Sequence, residues 1–540
     1  MFAAFAGEKR RQRGSSLICR LVFAPPGSGP PLLPLLDLGA LTLSASSVGP
    51  DYQPPQPSTP SAFNDLRSTD RTASRALAAQ PDPKWWRTFN DTQLDSLIDR
   101  AIAGNLSLQQ AVLRIAGARE QTLQAGAAGL PTVSANASAT RQQLGLKGEL
   151  DSYGVRAQVA ENSEELASRL DSLTRQIHLY QGSFDTSWEL DLWGRVRRSV
   201  EMANAQTQAS VESRNDALVS LEAEVARAYL QLCGAQSVSD TLMAQIDVAQ
   251  QSLELTQSRA HNGLAPQLDV ENASAQIGSL RAQLPQYQAQ QRQAMNGLAV
   301  LLGLPPGALD AELTQTKPLP RLPAAVPVGV PASLARRRPD VREAKAQLHA
   351  ATANIGVSVA QLFPDLSLTG QFGMRNTDSD YLTHWSSHFY SYGPQVSIPI
   401  FQGGRLVWNV RLARAQQANA VLAYRQTVLT ALQDVENALV SYRADQQRVD
   451  GLEQTADSLQ NAFNLASNSY RQGISTFIEV LDAQRQLAQA RQQAASARVQ
   501  SSVDLVSLYK ALGGGWELYP QGDLPKFQVF GPAETVNVKS

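Results

Sequence analysis

The sequence predicts an α+β membrane protein built twice from one unit. Three observations predict it: a duplication in fixed register, strands with one apolar face, and helical runs too long for a globular core. Asp191-Leu192-Trp193-Gly194-Arg195 recurs as Phe401-Gln402-Gly403-Gly404-Arg405. Asn262-Gly263-Leu264 recurs as Gln472-Gly473-Ile474, and Leu301-Leu302-Gly303 as Ala511-Leu512-Gly513. Each pair lies 210 positions apart, so the internal spacing is the same in both halves. A half that occurs twice is a structural unit.

Helices come first in each unit. Residues 90–128 carry Leu94, Leu97, Ile98, Ile102 and Leu106 at helical spacing, and Pro131 stops the run. In the second half Pro339 opens the matching helix and Pro364 ends it. Residues 195–262 and 405–472 each read as one helix, roughly 100 Å long at the usual rise. The runs 90–128 and 265–301 are each roughly 55–60 Å. Two short helices end to end therefore match one long rod.

Strands separate the helices. In 131–140, Val133, Ala135 and Ala137 alternate with Ser134, Asn136 and Ser138. Phe184, Thr186, Trp188 and Leu190 alternate with Ser183, Asp185, Ser187 and Glu189. Leu366, Leu368, Phe372 and Met374 alternate with Ser367, Thr369, Gln371 and Arg375. Val396, Ile398 and Ile400 alternate with Gln395 and Ser397. Period two over about ten residues gives a strand with one apolar face, a length that suits a tilted bilayer crossing. Four strands cannot close a barrel, for which about eight is the practical minimum. The chain is therefore expected to associate with copies of itself; strand number alone allows two or three.

Composition excludes several classes. Charged residues make up 18% and the formal net charge is −1, so no basic field recruits nucleic acid. Neither a P-loop nor a dinucleotide-type glycine loop is present, and no nucleophile–base set appears, so an enzyme and a cofactor are not expected. Cys19 and Cys233 are too far apart in sequence to suggest a disulfide framework, and Cys233 reads as a small packed residue. His384 and His388 have i,i+4 spacing, but their neighbours Tyr381, Trp385, Phe389 and Tyr390 favour a polar loop beside an aromatic belt over a metal site. No apolar run reaches the ~18 residues of a membrane helix. A soluble coiled-coil scaffold, the alternative from another class, accounts for the helices but not for strands at matched places in both halves.

The chain divides into 1–47, signal-peptide-like, with Lys9, Arg10, Arg11 and Arg13 before apolar stretches; 48–89, extended, with a proline-rich 49–62 expected to be poorly ordered; a first repeat, 90–303; a linker, 304–331; a second repeat, 332–513; and a tail, 514–540.

Several motifs occur in order: Val48-Gly49-Pro50-Asp51-Tyr52, Arg336-Arg337-Arg338-Pro339-Asp340-Val341-Arg342, Phe363-Pro364-Asp365-Leu366-Ser367-Leu368-Thr369-Gly370, Leu481-Asp482-Ala483-Gln484-Arg485, and Leu508-Tyr509-Lys510-Ala511-Leu512-Gly513-Gly514-Gly515-Trp516. From about 48 to 518 the chain resembles the outer-membrane factors of tripartite efflux pumps, the TolC/OprM group with its NodT-type lipoprotein branch. The resemblance implies a homotrimer in the outer membrane of a Gram-negative bacterium. Twelve strands would form a barrel in outer-membrane lipid, continued by a long periplasmic α-helical barrel. Its partners would be a periplasmic adaptor protein and an inner-membrane RND transporter, and the exported substrate drugs or other small toxic compounds. A type I protein-secretion outlet of the same fold is the runner-up. Two departures stand out. Ser46 occupies the position where the lipoprotein branch carries an acylated Cys, and it cannot form the thioether. The first hairpin, 131–194, is 23 residues longer than 364–404, and its polar excess, 141–181, reads as a partly helical exterior loop.

The helical hairpins turn at Gly263 and Gly473, which suit helix C-caps at positive φ. Thr476 and Glu479 have capping-box spacing, while Pro266 and Asp269 fit the start of the matching helix. Asp482 lies beyond the useful range of the helix dipole. The resemblance puts Ile478 and Asp482 at the periplasmic entrance, facing the pore, with Glu479, Arg485, Arg471 and Tyr470 around them. The adaptor contact is expected at the hairpin tips: Gly263, Leu264, Gly473, Ile474 and Ser475.

Overall fold

A computed structural model describes residues 47–520 except 57–58, 65–74, 78, 144, 174–175 and 324, and also residues 522 and 524. The signal-like segment up to Ser46, including Cys19 and the position tied to lipidation, lies outside the described residues, as does the tail from 525 onward.

The chain opens with β1 (Arg75–Leu77), then α1 (Thr92–Gly104), α2 (Leu106–Ala127) and β2 (Thr132–Gln142). Three short helices, α3 (Leu146–Ser152), α4 (Val155–Asn162) and α5 (Glu164–Leu173), lead to β3 (Ile177–Glu189). The first hairpin follows as α6 (Arg195–His261) and α7 (Gln267–Leu301). After α8 (Asp310–Leu313), β4 (Ala325–Pro327) and α9 (Pro331–Arg337) come α10 (Pro339–Ala360), β5 (Asp365–Asn376), β6 (His388–Ser397), α11 (Arg405–Arg471) and α12 (Phe477–Leu512).

α6 and α11 are both 67 residues long, and α7 and α12 are 35 and 36. The expected single helix over 90–128 is instead two. Asn105 breaks it, because its carboxamide oxygen accepts from the Leu108 N–H at 2.9 Å and caps α2. Its Nδ2 donates to the Leu301 carbonyl at 2.9 Å, fastening the break to the end of α7. Asn105→Ala is expected to lower stability by roughly 1–2 kcal/mol through the lost cap, measured as the shift in a denaturation midpoint. Gly104 meets Gly303 at this junction: a Cβ on Gly303 would stand 2.3 Å from the Gly104 carbonyl oxygen.

The strands form one antiparallel sheet in the order β2-β3-β5-β6, and β1 and β4 form a separate parallel pair. The register aligns the apolar positions. Ala135, Phe184, Phe372 and Tyr390 share one row, and Trp188, Leu368 and Pro394 another. Phe184, Phe372 and Tyr390 are 61%, 46% and 66% exposed, so within one chain nothing covers this face. The opposite face is polar, with Asn136 and Ser183 donating to Asp185 and Gln371 to Ser183. β2, β3 and β6 begin or run further into the loops than expected, and β6 ends at Ser397. Pro399 cannot donate to a ladder, so Ile398 and Ile400 lie beyond the strand and are exposed.

The main core lies where α1, α6, α12 and the loops around them meet. It includes Trp85, Trp86, Leu94, Leu97, Tyr229, Leu298, Leu505 and Tyr509, with Cys233 1% exposed among them. The motifs are tied together by polar and ring contacts. Arg338 donates to Asp340, to Asp434 at 3.0 Å and to the Ala511 carbonyl at 3.0 Å. The Trp516 indole donates to the Arg337 carbonyl, and the Arg342 guanidinium lies 4.5 Å over its ring. Trp193 stacks on Phe363 and donates to the Pro364 carbonyl. The proline-rich start, expected to be poorly ordered, is extended but pinned: Asp51 accepts from Arg198 at 2.6 Å, and Tyr52 stacks on His349 at 4.2 Å.

Candidate functional site

The hairpin tips are built by two helix ends of the same geometry. At the end of α6 the Gly263 N–H donates to the Ala260 carbonyl and the Leu264 N–H to the Arg259 carbonyl. At the end of α11 Gly473 donates to Tyr470 and Ile474 to Ser469. These are paired Schellman bonds, which need a left-handed residue at the turn. Gly263 and Gly473 supply it with φ of 71° and 75°. Leu264 and Ile474 are thereby projected outward, 66% and 75% exposed. Ser475 is half-buried beside them, and its hydroxyl has no partner among the described residues.

α12 then starts at Phe477 with Thr476 as its N-cap. The capping box is not formed as expected. The Thr476 hydroxyl donates to the Glu479 carboxylate at 3.2 Å instead of accepting a backbone N–H. Ile478 is 65% exposed, and Asp482 follows one turn later on the same exposed face. Asp482 accepts from Gln486 at 2.8 Å, while Arg485 turns the other way and donates to Gln276 of α7 at 2.9 Å. Arg471 is exposed at the helix end.

Tyr470 stands apart from these residues. It is 4% exposed and packs with Ala273, Phe477, Val480 and Leu481 in a small core shared by both hairpins. The guanidinium of Arg259 lies 4.7 Å over its ring and donates to the carbonyls of Tyr470 at 2.9 Å and Arg471 at 3.1 Å. These carbonyls belong to the last turn of α11, where the regular helix bonds run out; the Tyr470 carbonyl also accepts from the Gly473 N–H. Arg259 therefore caps the second hairpin from the first. Burial, followed by the charge of Asp269, raises the Tyr470 phenol above its ordinary value, and burial also raises Asp269. Sequence reasoning missed Arg259. The available signal was a basic residue in the last turn of α6, which also suits a simple dipole partner.

His384 and His388 do not converge. Each packs on its own aromatic neighbour: His384 tilted against Tyr381 at 5.0 Å, and His388 stacked on Trp385 at 4.7 Å. Among the described residues no group of three or more His, Cys, Asp or Glu could hold a metal ion, and no helix is long and apolar enough to cross a membrane.

Known proteins share both the sequence and this architecture. Residues 97–304 and 330–514 match the family described as outer membrane efflux protein. Outer membrane protein OprJ of Pseudomonas aeruginosa is 33% identical over 480 residues, covering 88% of this chain and 95% of OprJ. Nodulation protein T of Rhizobium leguminosarum bv. trifolii is 30% identical over 415 residues, covering 77% of this chain and 83% of that protein. The structure of the outer-membrane channel OprN superposes with a TM-score of 0.75 at 31% identity, covering 87% of this chain and 99% of OprN. OprN is described as an outer-membrane channel and OprJ as an outer membrane protein. The chain belongs to the outer membrane efflux protein family, the outer-membrane channels of RND-type efflux pumps in Gram-negative bacteria, with a helical extension reaching into the periplasm.

Proposed function

We propose that three copies of this chain form a passive exit duct for drugs or other small toxic compounds. Four strands per copy would make a barrel of twelve, and the long helices a continuous periplasmic tunnel. In this reading the chain is an internal two-fold repeat, 90–303 and 332–513, joined by the 304–331 linker and preceded by an extended N-terminal segment, 48–89. The observation that carries it is the sheet itself. Among the described residues the outer edges of β2 and β6 have no strand partner, and the apolar face between them is uncovered. In hydrocarbon each unpaired backbone group costs several kcal/mol, so the edges must pair with those of other copies. The apolar rows then face lipid, and the Asn136–Asp185 side faces the lumen.

At the opposite end, three copies of Ile478 and Asp482 would form an apolar ring and an anionic ring. The first closes the pore by dewetting and the second favours cations. A periplasmic adaptor engages the exposed Leu264, Ile474 and Ser475 around Gly263 and Gly473, and releases the closed tip. An inner-membrane RND transporter supplies the energy. Arg471, Glu479 and Arg485 set the charge around the entrance.

The test is reconstitution in planar bilayers. The wild type is expected to give small, cation-selective conductance, and Ile478→Ala with Asp482→Ala a several-fold larger conductance with weaker cation preference. Unchanged conductance and selectivity in a correctly assembled double variant removes these residues from the gate. Migration of unheated, detergent-extracted protein as a single chain overturns the ring of copies.

A further inference from the structure

The seam between α11 and α12 holds a carboxyl pair that an inert conduit wall does not need. Asp504 of α12 is 9% exposed, and its Oδ1 accepts from the Gln500 amide at 2.9 Å. Its Oδ2 is sealed from solvent and has no donor among the described residues. Across the seam the Asp445 carboxyl of α11 lies within hydrogen-bonding reach of the Asp504 carboxyl. Arg448 stands 3.9 Å from Asp445 on a side chain 59% exposed, so solvent screens most of that attraction.

The rest of the surroundings do not neutralise the pair. A cleft of about 490 Å³ beside Asp504 is lined by Asp216 of α6, Asp340 of α10, Asp434 of α11, Lys510 of α12 and Arg338. Arg338 is committed to Asp340 and Asp434. Asp216 is raised by burial first and by Asp340 next, and Glu343 on α10 by burial and then Asp216. Lys510 lines the same cleft and lowers Asp216, offsetting part of this acidic side. Two carboxylates in contact with little solvent cannot both stay ionised. Burial first, and the bond to Asp445 second, push Asp504 up to about 7.

Packing does not require acids here. α6 and α11 begin at Arg195 and Arg405. Counting back by that offset from Asp445 and Asp504 gives Ala235 and Ala294, which line one gap between α6 and α7. Two alanines fill the corresponding places in the first hairpin.

We infer that Asp504 holds a proton against the Asp445 carboxyl and that the two form a pH-responsive clamp across the α11–α12 hairpin. Protonated, one carboxyl donates to the other and ties the helices together. When the proton leaves to water, two like charges face each other across the seam and loosen it. Because the folded state holds the Asp504 proton more tightly than the unfolded chain does, the stabilisation is complete in acid and is lost as pH rises through the raised titration of Asp504. α12 carries Ile478 and Asp482 at its other end, so the clamp sets the stiffness of the helix that ends at the tip.

The test is hydrogen exchange of the assembled protein in detergent, followed on the α12 segment around Asp504 and corrected for intrinsic exchange. Wild-type protection is expected to fall several-fold in one step centred near pH 7. Asp504→Asn and Asp445→Asn, whose amides mimic the neutral acid, are each expected to keep the low-pH protection throughout. The protonated-carboxyl infrared absorbance at pH 6 should be weaker in both variants than in the wild type by the contribution of one group, over the constant background of other raised acids such as Glu222. A wild-type profile with no step, or the same step in both Asn variants, overturns the clamp. The infrared reading remains decisive if either variant assembles poorly.

Discussion

Gly515→Ala is expected to destabilise the folded chain by roughly 3 kcal/mol or more, summed from backbone strain and overpacking. Gly515 has φ of 119° and ψ of −45°, a backbone conformation closed to L side chains. A Cβ there would also stand 2.0 Å from Oε2 of Glu222, which is 0% exposed and has nowhere to retreat. The two effects can be separated. In a Glu222→Ala background the steric part disappears and the conformational part remains, so the double variant recovers a portion of the loss. Gly278→Ala is the control: nothing lies within 4 Å of its Cβ, and in a helix interior alanine is neutral or better by up to about 1 kcal/mol. The measurement is the denaturation midpoint of the purified protein. Equal midpoints for Gly515→Ala and Gly278→Ala would remove the claim.

Glu222 adds a pH signature to the same site. Neither of its carboxylate oxygens has a hydrogen-bond partner among the described residues. Burial first, and the charge of Glu517 next, raise it well above the ordinary carboxylate range. Such an acid stabilises the fold while protonated and ceases to do so as pH rises through its raised value. Glu222→Gln should therefore flatten the alkaline fall in stability that the wild type shows.

These contacts mark where sequence reading stops. Period two in 183–190 and 366–375, and the equal spacing of the Gly263 and Gly473 turns, made the strands and hairpins legible, because each depends on neighbours a few positions away. The break at Asn105 was hidden because the cap it makes to Leu108 is fastened by a bond to the Leu301 carbonyl, 196 positions along the chain. The pinning of Asp51 and Tyr52 was hidden for the same reason, since Arg198 and His349 are remote in sequence. At the tip the spacing of Ile478 and Asp482 showed that they share a face. It could not show that Arg485 turns away toward Gln276, or that Tyr470 sits in a core. Both are decided by how α7 and α12 pack.

Arg259→Ala is expected to open the tip, raising conductance by a factor comparable to that of the Ile478 and Asp482 double variant. Arg259 gives two charge-assisted bonds to the last carbonyls of α11 and covers the Tyr470 ring. A hydrogen bond to a charged group contributes about 1.5–3 kcal/mol, and with it goes the tie between the two helix ends, although the Tyr470 carbonyl keeps the Gly473 N–H. The first hairpin then loses its polar hold on the last turn of α11, leaving the Arg485–Gln276 bond further along α12, and the inner turn is freer to swing. Arg259→Lys keeps the charge but loses the planar fork that reaches two carbonyls and stacks on the ring, so an intermediate conductance follows. Tyr470→Phe separates packing from polarity. The phenol hydroxyl has no partner among the described residues, so this variant should match the wild type, whereas Tyr470→Ala should behave like Arg259→Ala. If Tyr470→Phe opened the channel and Arg259→Ala did not, the hold on the tip would pass through the hydroxyl, and the guanidinium bridge would be a surface contact without consequence for the pore.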